Sequence, residues 1–349
     1  MPSFTKLTWL LLLVATIIAC KSEPQSQQQR IYIFGTLLDI ELVDVNRTLA
    51  RRAFNELDYL FQDMHREWHA WKPGGELYKI NRQIAAGISD IPISIMLRPL
   101  VLRSKQLYQI SDGYFNPAMG RLIDLWGFHQ DDRPGGGPPA EQAIETLLQQ
   151  RATMEDLNIK DGHLTVSNST VNLDLGGFAK GYALNHARLV LQRMGIQHAI
   201  LNAGGDLCAM GQHHERPWHV GIRHPQGKGV MASLDVGDGE CVMTSGNYVR
   251  YLEHEGVHYA HILDPRSGQP VHGIVSVTVI DEDGGLADAA ATALTVAGRD
   301  GWYAVARRMG LKYVMLVEDD GTVYLNPGMA SRTHYEGKVP DNIVISQPL

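Results

Sequence analysis

Asp288 and Thr292 stand four residues apart in the run Asp288-Ala289-Ala290-Ala291-Thr292-Ala293. On a helix that spacing brings a carboxylate and a hydroxyl to one face. With a neighbouring carbonyl they form a set of hard oxygen donors, which suits Mg2+ better than zinc or copper. Simple helix capping by Asp288 is the competing explanation. A second constellation lies at Val171–Tyr182. There an apolar, strand-like run (Val171, Leu173, Leu175) breaks on Gly176-Gly177 and continues as a helix from about Phe178 through Leu191. A strand that turns through glycine into a helix leaves N–H groups free at the positive end of the helix dipole, a geometry that suits phosphate. Asp174 and Lys180 place a carboxylate and a cation on either side of the turn. An ordinary strand–turn–helix junction explains the same glycines without a ligand.

Three other segments carry polar groups at strand ends. Asn202-Ala203-Gly204-Gly205-Asp206 would let backbone approach a ligand closely. No GxGxxG or GxxxxGK[ST] pattern occurs, so dinucleotide-fold and P-loop readings are weak. Thr244-Ser245-Gly246-Asn247-Tyr248 with Arg250 is a glycine-broken junction that a plain hairpin also explains. His258 to Gly268 ends a strand in a turn, and on a strand His258 and His261 face opposite sides, making them poor joint metal ligands. One histidine beside a phosphate is suited to general-base work. His213-His214 and His65/His69 read as surface or core residues.

The elements that must position these groups follow from hydrophobic period and turn signals. Strands are expected within 31–45, in a pair near 163–174, and at 198–203, 218–223, 230–236, 241–245, 257–263, 274–280, 312–317 and 322–325. Helices are expected at 48–64, 94–110, 117–126, 140–150, 178–191, 286–297 and 300–309, with a glycine- and proline-rich loop at 131–139. Helices grouped early and strands grouped later predict an α+β fold.

The ends and composition narrow the class. Residues 1–19 read as a signal peptide, with Lys6 ahead of an apolar Leu7–Ile18 run too short to span a bilayer comfortably. Ile17-Ile18-Ala19-Cys20 has the form of a bacterial lipobox, so Cys20 is expected to be lipidated and to anchor the chain outside the cytoplasmic membrane. Residues 20–30 read as a polar tether and 31–345 as the folded domain. The 44% hydrophobic content excludes disorder, and the net charge of −7 argues against nucleic acid as a partner. Three cysteines leave Cys208 and Cys241 after Cys20, either paired or separately buried.

In chain order these segments resemble the ApbE family of FAD:protein FMN transferases. The resemblance runs through Phe34-Gly35-Thr36, Trp71 with Glu76-Leu77-Tyr78-Lys79-Ile80-Asn81, Ser111–Pro117 with Leu125-Trp126-Gly127, and Asp174–Gly181. It continues through Asn202–Asp206, Thr244–Tyr248, His261–Gly268 and Asp288–Thr292, covering nearly the whole chain after the leader. The resemblance implies a T-fold-like α+β protein that binds FAD as substrate together with Mg2+. It implies transfer of the FMN moiety to a threonine hydroxyl of an acceptor protein through a phosphoester, with release of AMP. Such acceptors include flavin-carrying subunits of membrane redox complexes.

By position, Phe34, Trp71, Tyr114, Phe115, Asn116, Asp174, Lys180 and Ile262 would contact FAD. Asp288, Thr292 and the carbonyls of Gly177 and Ala291 would hold Mg2+, and His261 would be the base. A Mg2+-dependent FAD pyrophosphatase and a non-catalytic, lipid-anchored flavin-binding protein are the alternatives.

Overall fold

The computed structural model describes residues 26–130, 137–225, 227, 229–247 and 251–349. The leader, Cys20, most of the 131–139 loop, Tyr248 and Arg250 lie outside them. A nine-stranded sheet organises the molecule. Its spatial order is Ser26–Ile33, Thr36–Val43, His198–Ala203, Asp206–Met210, Cys241–Gly246, Ile274–Asp281, Tyr313–Glu318, Val323–Leu325 and Ile343–Ile345. All neighbours run antiparallel except the last pair. The α+β expectation holds.

Alternation along the strands fixes the two faces. Leu38, Ile40 and Leu42 point into the main core, shared with the helices Arg47–Trp68, Ala179–Arg193 and Gly284–Met309. Val43, Leu207, Val242 and Ile280 point the other way, into a second core. That core is closed by the small sheet Trp218–Arg223, Val230–Val236 and Thr333–Tyr335. Cys208 and Cys241 are cross-strand partners joined by a disulfide, which settles the open pairing.

Several elements differ from the sequence expectation. Ser26–Arg30, assigned above to the tether, belong to the edge strand. Gln28 pairs with Glu41, and Arg30 forms an ion pair with Asp39, so cross-strand partners hold this polar run in the ladder. The helices expected at 286–297 and 300–309 form one element, Gly284–Met309, kinked at Gly298 with φ 67°. The helix expected from Ser94 begins at Arg98, after Ser94 Oγ accepts the Leu97 N–H at 3.1 Å.

The strand pair expected across 163–174 is only half present. His163–Val166 pairs with Asp90–Pro92 and Leu157–Lys160, whereas Val171–Leu175 makes one isolated bridge, Met119 to Asn172. Buried Asn81 takes the place of a neighbouring strand there, donating to Leu173 O at 2.9 Å and accepting from Leu173 N at 2.8 Å. Its helix, Glu76–Ala85, is absent from the sequence expectation. It is short, and the buried face of Leu77, Ile80 and Ile84 includes a polar member, Asn81.

Arg332 ties the C-terminal segment to the sheet. It donates to Glu240 Oε1 at 2.8 Å and Oε2 at 2.6 Å, and its guanidinium lies 4.5 Å from the Tyr313 ring. Burial pushes the Glu240 carboxyl up, but Arg332, the Gly237 N–H and Lys312 together outweigh it and hold the pKa below the usual value. A depressed carboxylate stabilises the fold above its unfolded pKa, and that contribution disappears as pH falls through the folded one. Arg332→Met is therefore expected to cost about 2 kcal/mol at neutral pH. In urea melts at a series of pH values, the gap between mutant and wild type should close as the medium becomes acid. A gap independent of pH would contradict this assignment.

Candidate functional site

At one end of the large sheet, the hairpin tips Phe34-Gly35 and Gly204-Gly205 lie side by side, with the Gly204 N–H donating to Leu37 O at 3.1 Å. Gly204 and Gly205 have φ of 67° and 111° and form a two-residue turn. The run Asn202–Asp206 thus serves to turn the chain and to aim Asp206. Asp206 is buried. Its Oδ1 accepts the Thr244 N–H at 2.9 Å, and its Oδ2 forms an ion pair with Lys180.

Lys180 and Gly181 open the helix Ala179–Arg193, which packs closely on Gly284–Met309. A Cβ at Gly181 would lie 2.0 Å from Gly284 O and 2.9 Å from Asp288 Cβ, so glycine alone permits the approach. The approach lets the Gly181 N–H donate to Asp288 Oδ2 at 3.0 Å. Asp288 is 5% exposed, and burial pushes its carboxyl up against the opposing pull of Lys180 and the Gly181 N–H. Asp283, not Asp288, caps this helix, accepting the Leu286 N–H at 3.0 Å, so the capping explanation for Asp288 fails.

One turn on, Thr292 Oγ1 lies 3.3 Å from Ser245 Oγ. Gly177 closes this side, since a Cβ there would sit 3.4 Å from Thr292 Oγ1 and 3.1 Å from the Phe115 ring. Asp288, Thr292 and Gly177 are thereby brought together. Ala291 lies between them on the helix, and its carbonyl also accepts Thr295 Oγ1 at 2.8 Å. Among the described residues no group of three or more His, Cys, Asp or Glu forms a metal cluster. The donors here are one carboxylate with hydroxyl and carbonyl oxygens, the hard set expected for Mg2+.

A second group surrounds Asp174. Its Oδ2 accepts the Trp71 indole N–H at 2.7 Å and its Oδ1 accepts the Gly176 N–H at 2.8 Å, so Asp174 joins an aromatic wall to the glycine turn. Phe34 sits in its hairpin turn at φ 52°, edge-on to Phe61 and His65. Phe115 is buried edge-on to Phe178. Asn116 spends both ends of its amide on the backbone of Ala118 and Ala152, so its side chain shapes the loop.

Tyr114 lies under the Arg266 guanidinium at 4.2 Å. It also packs in a cluster with Ala260, Ile262, Val271 and Val296. Val296 is one turn beyond Thr292, so this cluster brings the His261-Ile262 segment to the alanine-rich helix. His258 is not part of the site: it stacks on Tyr251 at 4.4 Å beside Glu253. His213 and His214 lie near Glu41 and Asp44, towards the far end of the edge strands. Strand Cys241–Gly246 ends at the site, and the next described strand, Tyr251–His254, pairs with Val257–Ala260 in a separate two-stranded sheet.

Sequence reasoning missed Asp206 as the partner of Lys180, Ser245 beside Thr292, and His129, which stacks on Trp71. Asp206 and Ser245 lay inside motifs already singled out. His129 follows Leu125-Trp126-Gly127, and no spacing rule connects it to Trp71.

The sequence model of the ApbE family matches residues 34–315. A FAD:protein FMN transferase of Rhodobacter capsulatus is 42% identical over 315 residues, 90% of this chain and 60% of that protein, so the chain spans less than two thirds of that relative. A protein of the same name from Vibrio cholerae is 28% identical over 323 residues, 90% of this chain and 95% of its own. The crystal structure of the ApbE protein of Thermotoga maritima superposes with a TM-score of 0.78 at 30% identity, covering 86% of this chain and 96% of that one. Since the family match spans the glycine turn, the Lys180–Asp206 pair and the Asp288–Thr292 face alike, this chain belongs to the ApbE family.

Proposed function

We propose that the protein is an enzyme that transfers the FMN moiety of FAD to a threonine hydroxyl of an acceptor protein, with Mg2+ bound and AMP released. One observation carries the reading. Asp288 is buried against Gly181 and one turn from Thr292, while the nearest cation, Lys180, is already paired with Asp206. Two carboxylates against one lysine leave the pocket net negative, and a buried carboxylate without a full counter-charge is costly. A divalent cation held by Asp288, Thr292 and the carbonyls of Gly177 and Ala291 would relieve that cost. When bound, Mg2+ would neutralise charge developing on the phosphoryl oxygens.

The chain's own groups supply the rest. Trp71 and Phe34, with Tyr114, Phe115 and Ile262, offer ring-binding walls, and Asp174 fixes the Trp71 indole. Asn116 shapes the loop that carries Tyr114 and Phe115. Lys180, about a third exposed despite its ion pair, faces the pyrophosphate from the first turn of the helix Ala179–Arg193, while the N–H groups of Gly176, Phe178, Ala179 and Gly181 are already bonded within the protein. A ring nitrogen of His261 takes the acceptor hydroxyl proton. The threonine oxygen then bonds to the FMN-side phosphorus as the phosphorus–oxygen bond to AMP breaks.

The Cys208–Cys241 disulfide supports an oxidising, extracytoplasmic compartment. With lipidation at Cys20, including palmitate, it would place the enzyme on the outer side of a membrane. An acceptor in a membrane redox complex would fit that location. Among the described residues no helix is long and apolar enough to cross a membrane.

The test is incubation of the enzyme with FAD, Mg2+ and an acceptor carrying an exposed threonine segment, followed by a denaturing gel viewed for flavin fluorescence. A fluorescent acceptor band that disappears with EDTA is expected. FMN and AMP accumulating without that band would replace the transferase with a pyrophosphatase, and FAD binding without turnover would leave a carrier.

A further inference from the structure

The geometry points to His129 as a positioning residue that acts through Trp71 to fix how the ring system of FAD is received. The inference rests on the reading of Trp71 and Asp174 as part of the FAD pocket. An indole has one N–H and two faces with which to bind. The Trp71 N–H is committed to Asp174 Oδ2 at 2.7 Å. The His129 ring covers one face, with centroids 4.5 Å apart and planes at 28°. Only the opposite face remains for a planar ligand, and the indole cannot turn without losing both contacts.

His129 is itself held. Gly127, at φ 69°, ends the helix Gly120–Trp126 in the left-handed conformation and redirects the chain. Phe128 stacks on Trp126 at 10°, and the Trp126 N–H donates to Gly268 O at 2.9 Å. The His129 side chain is 15% exposed; its buried Nδ1 has no hydrogen-bond partner among the described residues, with Asp124 Oδ1 3.4 Å away, and its Nε2 lies 3.2 Å from Gln130 Nε2. The segment 126–129 therefore braces the turn that follows His261 and, through His129, the plane of Trp71. A wall set before the ligand arrives removes part of the ordering cost of binding.

The alternative is that His129 occupies the place the FAD ring takes, and the two differ in sign. FAD affinity of the full chain is measured by flavin fluorescence quenching, and transfer kinetics with acceptor in excess. If His129 positions Trp71, His129→Ala raises the Kd and KM for FAD about three- to tenfold, the scale of one aromatic pair, and leaves kcat nearly unchanged. His129→Phe, which keeps a ring against the indole, restores both constants. Tighter or unchanged FAD binding in His129→Ala, or a loss of kcat with KM unaltered, overturns the inference while normal binding by the wild type preserves the pocket. If Trp71→Ala leaves FAD binding intact, the pocket reading fails first, and the inference falls with it.

Discussion

Asp288→Asn is expected to lower Mg2+-dependent FMN transfer by about a hundred- to a thousandfold at saturating FAD, the scale of losing one preorganised electrostatic contribution. Asparagine keeps the size of the side chain and an oxygen to accept the Gly181 N–H, so the negative charge is removed with little change of shape, one oxygen becoming an NH2 donor. Burial already pushes the Asp288 carboxyl towards its neutral form, and the folded protein should tolerate the neutral amide with its melting temperature held or raised. On the proposed reading, activity would fall because the pocket loses the net negative charge that would draw in the cation. Transfer rates across a Mg2+ titration measure this, alongside a thermal melt. Unchanged activity at every Mg2+ concentration would mean that the metal is held elsewhere.

Gly181→Ala acts through packing rather than charge, and it should be the most damaging single methyl that can be added to the site. The new Cβ would meet the Gly284 carbonyl at 2.0 Å, and both obstructing neighbours lie on a helix that cannot swing aside as a flexible side chain would. Separating the helices Ala179–Arg193 and Gly284–Met309 is expected to cost about 3 kcal/mol, the upper part of the range for overpacking. It would also withdraw the Gly181 N–H from Asp288 and shift Lys180 relative to Asp206. Urea unfolding with isothermal Mg2+ binding would show both losses together. A variant as stable as wild type would show that the two helices can separate freely, contrary to their close packing.

Asp288 and Thr292 were legible in the sequence because helix period alone puts them on one face, whatever the fold. The glycine turn was legible for a similar local reason, as a run of apolar residues broken by two glycines and followed by helical spacing. Lys180 was singled out without its partner, since Asp206 arrives from a hairpin far along the chain and only sheet order brings it close. Val171–Leu175 looked like a strand from its alternation, but it forms only one isolated bridge. Leu173 bonds to the side chain of Asn81, and Asn172 and Asp174 bond to the backbone of Pro117, Ala118 and Gly120, partners no local pattern reports. The edge strand from Ser26 was hidden by polar composition, because its support comes from partners across the ladder. Elements set by local spacing were readable, and those set by a distant neighbour were not.

The central claim is that the site joins FMN covalently to an acceptor rather than merely cleaving FAD. Intact-mass measurement of the acceptor after reaction with FAD and Mg2+, with AMP quantified in the same sample, tests it most directly. The account predicts a mass gain equal to FMN less one water on the threonine-bearing segment, one AMP for each acceptor modified, and loss of both with His261→Ala. An acceptor of unchanged mass beside accumulating FMN and AMP would contradict it.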